Sequence, residues 1–453
     1  MRAEFQPIIG TGKVVLRETQ RPVTPFAGLV VLMQLMKRLG VMDWVRQHMP
    51  FVYRSHNRID PAETLLAFWL AVAAGSRRFS HVQGLRCDEA LRRICGIARM
   101  PGDDTVRNFF ARFKQGEIER FFPPLWRELL SKLPTRRCTL DLDSTVFQRF
   151  GRQQGTASGY NPVRHGGRTH HPLFAVLAEP VLVLHAWLRS GSAAANRGAV
   201  AFLQEALSQL PSGWTIDGVR ADGGFFDQKL LTFLEERQLP YVVVVRMHST
   251  LQWAVHDVRE WRQVGRRHWV GEFELQMFKW QRARRFIVVK EQLPPDKPRR
   301  TLQLLDEPGF SFRVFVTNRT EDPEWLWRHY DKRAGIEPRF SELKSDLAAD
   351  DFCLRSFFGT EAALRSICFL FNLLSLLQKA ERADTPTQRP ATLRSSIFTC
   401  GAIAGRSGRK NVMFFSESWG GLKTRIRLLI NIATGDFITS PKLAFGTAPA
   451  APT

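Results

Sequence analysis

The stretch CTLDLDSTVF, residues 138–147, is where the chain changes texture, from helical periodicity to strand alternation. In an extended chain successive side chains point to opposite faces. Cys138, Leu140 and Leu142 then share one face, and Asp141 and Asp143 share the other. Two carboxylates on one face of an apolar strand ask for partners. A turn or cap role for Asp143, directly before Ser144-Thr145, is the plainer alternative. Moving outward, a glycine-rich polar stretch, GRQQGTASGYNPVRHGGRTHHP (151–172), separates this strand from two more at about 173–178 and 181–188. A helix is expected over 197–210. WTIDGVRADGGF (214–225) reads as a strand ending at Asp222 and a Gly-Gly turn, 227–238 as a helix, and PYVVVVRM (240–247) as a β-branched strand.

The order β-β-β-α-β-α-β, with three leading strands, predicts a mixed α/β fold with a ribonuclease H-like core. In such a sheet the first and fourth strands are neighbours and a later helix packs across them. Residues 248–317 interrupt the pattern with strand alternation at 268–278, 284–290 and 310–318 and a polar connection at 291–300, read as a β-rich insertion. Helical texture returns at Asp322-Pro323 and holds to about Arg382, through FLFNLLSLL (369–377).

On the N-terminal side, residues 24–133 read as helical. Leu29, Leu32, Leu35, Met36 and Leu39 recur at helical spacing, and a second helix is expected from Pro61 to Gly75, with proline in the first turn. In PGDDTVRNFFARFKQGEIERFF (101–122), Asp103 or Asp104 is expected to cap a helix starting near Thr105. Its Arg107, Arg112 and Lys114 lie opposite Phe109, Phe110 and Phe113. This resembles the second helix of a helix-turn-helix, whose basic side meets DNA phosphates; an ordinary surface helix is the competing reading. The tail carries GAIAGRSGRKNVMFFSESWGGLKTRIRLLINIA (401–433), whose Arg406, Arg409, Lys410, Lys423, Arg425 and Arg427 suit either a DNA-contacting lobe or a packed C-terminal cap. Residues 383–392 and 444–453 look loose.

The 453 residues carry 65 Lys and Arg against 43 Asp and Glu, a net charge of +22. Such self-repulsion calls for a polyanionic partner, nucleic acid first and an anionic membrane surface second. The apolar run 65–74 is too short to span a bilayer, and the N-terminus lacks a signal-peptide layout. We therefore expect a soluble protein of the cytoplasm. Six scattered cysteines with no C-x-x-C pair argue against a disulfide framework or a structural zinc site. His165, His170 and His171 lack cysteine partners and helical spacing, so a loop closing over DNA is favoured there over zinc.

One further stretch stands out: YDKRAGIEPRFSELK, 330–344. Tyr330, Arg333, Glu337 and Lys344 project at roughly 0°, 300°, 340° and 320° on an ideal helix, a stripe about 60° wide. Alone it is a solvated face with i,i+4 charge pairs. With Asp143 on the first core strand and Asp222 at the end of the fourth, Glu337 becomes a third acid able to converge on them. Three carboxylates suit Mg²⁺ or Mn²⁺, and two such ions roughly 3.5–4 Å apart can serve phosphoryl transfer.

The chain resembles the DDE transposases of bacterial insertion sequences, in the branch with a β-strand insertion before the catalytic Glu and the signature Y-x2-R-x3-E-x6-K. Tyr330, Arg333, Glu337 and Lys344 match it; DLDSTV (141–146) and RADGGF (220–225) resemble the first and second motifs. The resemblance covers about residues 25–380. It implies that Asp143, Asp222 and Glu337 hold two Mg²⁺ or Mn²⁺ ions, with Asp141 still open as the rival first ligand. Water, then the freed 3′-hydroxyl, would attack phosphate at the element's ends and in target DNA. Tyr330, Arg333 and Lys344 would contact DNA phosphates, and a homodimer would bring two terminal inverted repeats together in a bacterial, nucleoid-associated setting. The implied division is a terminal-repeat-binding helical region (1–135), the two core parts (136–247 and 318–382) around the insertion (248–317), and a basic tail (383–453). A catalytically inactive DNA-binding derivative and a metal-dependent nuclease without strand transfer are the rivals. Two departures are visible. Gly223 stands where relatives commonly carry Ser. Pro338 follows Glu337, where a mid-helix proline costs about 3 kcal/mol and predicts a kink.

Overall fold

The computed structural model describes residues 3–5, 12–159, 161, 164–294, 309–381 and 388–435. Its centre is a nine-stranded mixed sheet. Five strands make the core: β1 (Arg137–Ser144), β2 (Leu173–Leu177), β3 (Leu182–Trp187), β4 (Thr215–Ala221) and β5 (Tyr241–Val245). They lie in the order β3-β2-β1-β4-β5, with β2 antiparallel to both β1 and β3, and β4 parallel to both β1 and β5. This is the expected ribonuclease H-like arrangement, with the first and fourth strands adjacent.

The described residues of the β-rich stretch form no sheet of their own. Four strands, β6 (Arg262–Gly265), β7 (His268–Leu275), β8 (Arg284–Gln292) and β9 (Phe310–Thr317), continue the core sheet. β9 pairs antiparallel with β5, and β8, β7 and β6 follow outward. The alternation in FSFRVFVT explains the attachment. Val314 and Val316 join the main core, while Phe315 packs with Val242 and Ile287 in a second cluster on the other face. Most of the 291–300 connection falls outside the described residues. A helix at Ser249–His256, not expected from the sequence, precedes β6.

The helical region and the sheet share one hydrophobic core. It forms around the long helix Phe357–Glu381, which packs on β3 and on helices α1 (Leu29–Arg38) and α2 (Pro61–Ala73). At the start of α2 the Asp60 carboxylate accepts from the N–H groups of Ala62 and Glu63, at 2.7 and 3.3 Å, and Pro61 fills the first position, so the orphan donors of the first turn are met. Helix α3 (Asp103–Ala111) begins earlier than expected. Gly102 is its N-cap and no side chain caps it; Asp103 and Asp104 instead sit in the first turn, where their charge favours the helix dipole.

Next along the chain comes α4 (Pro323–Asp331), then the broken segment that carries the signature, then α5 (Phe357–Glu381). By length and composition the stretch 357–380 of α5 could cross a membrane; here its whole apolar window is buried inside the protein. Trp69 Nε1 of α2 donates to the Ser366 carbonyl of α5 at 3.0 Å. Asn372 closes an edge of the sheet: its carboxamide accepts from Val183 N–H at 2.7 Å and donates to the Val183 carbonyl at 2.8 Å. An edge strand left with unpaired backbone groups would invite foreign pairing.

The tail packs. Strands at Ala402–Ser407 and Lys410–Phe415 form a hairpin that pairs with Val23–Thr24, and a helix follows at Leu422–Thr434. Arg425 is buried and donates to the carbonyls of Ile397, Ser396, Thr399 and Gly420, so it is a tether of this lobe, whatever its basic neighbours contact. Residues 444–453 and 383–387 lie outside the described residues.

Candidate functional site

The site forms at the C-terminal ends of the parallel strands β1 and β4. The last paired residues there are Leu142 and Ala221. One residue further along each strand stand Asp143 and Asp222, side by side and on the same face as Asp141 and Arg220. The acids 79 residues apart are therefore brought together by strand register alone.

The two carboxylates of β1 differ. Asp141 is fully engaged. Arg220, its cross-strand neighbour, meets it with Nε at 2.6 Å and a second nitrogen at 2.8 Å, and also donates to the His329 carbonyl at 2.7 Å. Both partners of this fork are buried. Asp143 is held from outside the sheet: Arg333 reaches its Oδ2 at 2.8 Å and the Leu142 carbonyl at 3.0 Å, while Oδ1 accepts from Ser144 N–H at 2.7 Å. Burial pushes the Asp143 carboxyl up to about 6, with Arg333 opposing and the Asp222 charge adding. Asp222 is half-buried, and its Oδ1 accepts from Gly224 N–H at 2.9 Å.

The signature residues do not share a stripe, because the segment is not one helix. After α4 come a 3₁₀ turn (Lys332–Gly335), a short α-helix (Ile336–Ser341) and a π turn (Glu342–Asp346). Each change of winding rotates the following side chains. Tyr330, at the end of α4, is buried against Phe315, with ring centroids 4.9 Å apart. Burial pushes its phenol up to about 12, with Arg333 opposing and the charges of Asp222 and Asp143 adding. Arg333 in the 3₁₀ turn is buried against Asp143, and its Nε has no hydrogen-bond partner among the described residues. Lys344 in the π turn is half-buried; burial pushes its amine down and Asp350 opposes.

Glu337 is exposed and has no hydrogen bond or ion pair with any described residue. Pro338 after it is the third residue of the restarted helix, where its missing N–H is no loss. The expected kink is thus taken up one turn earlier, at Lys332–Gly335, and the expected mid-helix penalty does not arise.

The structure gathers Asp143, Asp222, Arg333 and Tyr330 in one place. The carboxylate pair offers hard oxygen donors with mutually unfavourable charge, which fits a divalent cation. Glu337 is not part of that group, and among the described residues no set of three or more His, Cys, Asp or Glu side chains is close enough to hold a metal. Of the three histidines, His170 bonds the Gln154 carbonyl at 2.9 Å and accepts from Arg149 Nε at 3.0 Å, and His171 bonds the Ala193 carbonyl at 3.0 Å. Both are tied to neighbouring loops. Arg107 and Arg112 are exposed on the helical region, Arg107 within 3.6 Å of Asp103 and Arg112 over the Tyr53 ring at 4.6 Å. Sequence reading missed Arg220 as the partner of Asp141. The signal was present, since a strand running up to Asp222 places residue 220 on the same face.

Comparison with known proteins adds the family. Residues 6–433 match the family described as Transposase DDE domain group 1. No curated protein matches the chain. Among solved structures, the cryo-EM structure of a piggyBac transposase synaptic complex with hairpin DNA is similar with a TM-score of 0.43 and 12% identity, over 84% of this chain and 82% of that one. With the family match spanning nearly all of its length, the chain belongs to the DDE transposases.

Proposed function

We propose that the protein is a DNA transposase of an insertion sequence, acting by cut-and-paste, and that Asp143, Asp222 and Glu337 are its catalytic acids. The observation that carries this reading is the closeness of Asp143 and Asp222, each one residue past the last pair of β1 with β4, within a family match that spans nearly the whole chain. Asp143 and Asp222 would hold Mg²⁺ or Mn²⁺, and Glu337, which stands apart from the pair in this structure, would have to move onto them to complete a two-ion set; the ions when bound supply activation of the attacking oxygen and stabilisation of the leaving oxygen on phosphorus.

The chain's own groups do the rest. Arg220 fixes Asp141, which removes that carboxylate from competition and leaves Asp143 as the first ligand. Arg333 keeps the Asp143 charge compensated and would turn to a DNA phosphate when one is bound, for which a guanidinium is suited. Tyr330 and Lys344 serve as further phosphate contacts. Arg107 and Arg112 lie on the helical region proposed to bind the terminal inverted repeats, and a homodimer would hold two ends together. The net charge of +22 suits such a partner.

The test is incubation of the purified protein with duplex DNA carrying the inverted repeats that flank its gene, with Mg²⁺ or Mn²⁺. Strand cleavage at the repeat ends followed by joining to a target duplex is expected. Cleavage without joining would mark a nuclease, and binding without cleavage a DNA-binding derivative.

A further inference from the structure

The acid pair has a neighbouring cation that nothing above employs. Arg246 directly follows β5, is exposed, and its guanidinium makes no hydrogen bond, ion pair or ring contact with any described residue. Ala221 of β4 lies opposite Val243 of β5 in parallel register. Three residues on, Gly224 and Arg246 stand level, at the same end of the sheet as Asp143 and Asp222.

The two glycines after Asp222 explain how this arginine is seated. Neither has a positive φ, so the backbone conformation does not demand glycine. Space does. A Cβ on Gly223 would lie 2.9 Å from Arg246 Cγ, and one on Gly224 would lie 3.7 Å from an Arg246 terminal nitrogen. The arginine stem therefore lies against the turn whose Gly224 N–H holds the Asp222 carboxylate. The absence of a side chain at 223, where the resemblance leads one to expect Ser, is what makes room for it. A long cation seated on the turn that follows Asp222, and bonded to no described residue, is placed for an anion that arrives from outside.

We propose that Arg246 is a phosphate-contacting residue of the acid site, gripping a DNA phosphodiester next to the one that is cut, with Gly223 as the seat of its stem. The proposal rests on the reading of Asp143 and Asp222 as catalytic acids. A planar guanidinium can take two phosphate oxygens at once, whereas an ammonium offers only a point charge.

The experiment compares wild type, Arg246→Ala, Arg246→Lys, Gly223→Ser and Asp222→Asn on linear duplex DNA from the gene's own flanks. Cleavage is read with Mn²⁺, and binding over a series of KCl concentrations. Because Arg246 is exposed, melting temperatures of its variants should match wild type. Arg246→Ala should cut about 10- to 100-fold more slowly, the size of one lost charged hydrogen-bonding contact, and its salt slope for binding should fall by about one. Arg246→Lys should recover the slope and only part of the rate. Gly223→Ser, which displaces the Arg246 stem, should lose rate in the same direction and by less. Wild-type rate and salt slope in Arg246→Ala would overturn the proposal, provided Asp222→Asn is inactive. If Asp222→Asn itself cleaves like wild type, it is the parent reading that fails.

Discussion

Two carboxylates on one strand face, two residues apart, meet different fates in this protein. Asp141 is clamped by Arg220 from the adjacent strand, with both oxygens used and the pair buried. Asp143 gives one oxygen to an arginine from a 3₁₀ turn and the other to the next backbone N–H, and it stands beside Asp222. The first arrangement is closed. It can be replaced but not rearranged, since removing one partner strands a buried charge. The second is open: its counter-ion comes from a segment whose winding changes twice within fifteen residues. A structural carboxylate is satisfied within the sheet, whereas a chemically useful one is only lent a partner.

Changing the acids one at a time should separate these roles, beginning with the largest effect. Asp222→Ala should lower Mn²⁺-dependent cleavage by about a thousandfold or more, as expected when several kcal/mol of transition-state stabilisation are lost. Its urea unfolding midpoint should stay near wild type, because Asp222 is half-buried and, among the described residues, bonded only to its own turn. Asp141→Ala should do the reverse first. Leaving Arg220 buried and unpaired should cost about 3–5 kcal/mol of unfolding free energy, read by urea denaturation, and replacing both partners by apolar residues of similar volume should recover much of it.

A smaller effect concerns protons. The Asp143 carboxyl in the folded protein is raised to about 6, above its unfolded value near 4. A raised carboxyl contributes stability that is fully present below the unfolded value and is lost as pH rises through the folded one. Relative to Asp143→Asn, wild type should therefore lose unfolding free energy between about pH 4 and pH 6 and level off above it. Parallel curves across that window would show that Asp143 is not perturbed. The smallest effect belongs to Pro338. Placed in the first turn of a new helix, its replacement by Ala should change stability by less than about 1 kcal/mol, far from the roughly 3 kcal/mol of a mid-helix proline.

The strand order was legible because core strands of this kind are written in β-branched and apolar runs bounded by turns. Asp143 and Asp222 could be named because each ends such a run. What was not legible depends on groups distant in sequence. Nothing in DLDSTV says which carboxylate Arg220 will take until β4 is placed beside β1. The stretch 248–317 alternates like any β-rich insertion, and only the pairing of β9 with β5 makes it part of the same sheet. The even helical stripe of Tyr330, Arg333, Glu337 and Lys344 failed because a wheel assumes one winding, and the winding changes after Gly335 and again after Ser341. In the tail, Arg425 reads as one more surface cation until its neighbours' carbonyls close around it.

The role of Asp143 is decided by cleavage of the flanking repeat DNA by Asp143→Asn in Mn²⁺, with the urea midpoint measured on the same sample. If Asp143 is a catalytic acid, this variant is folded, binds the DNA and does not cut it. Cleavage at the wild-type rate by a folded Asp143→Asn protein would contradict that role and would return Asp141 to the position of first catalytic acid.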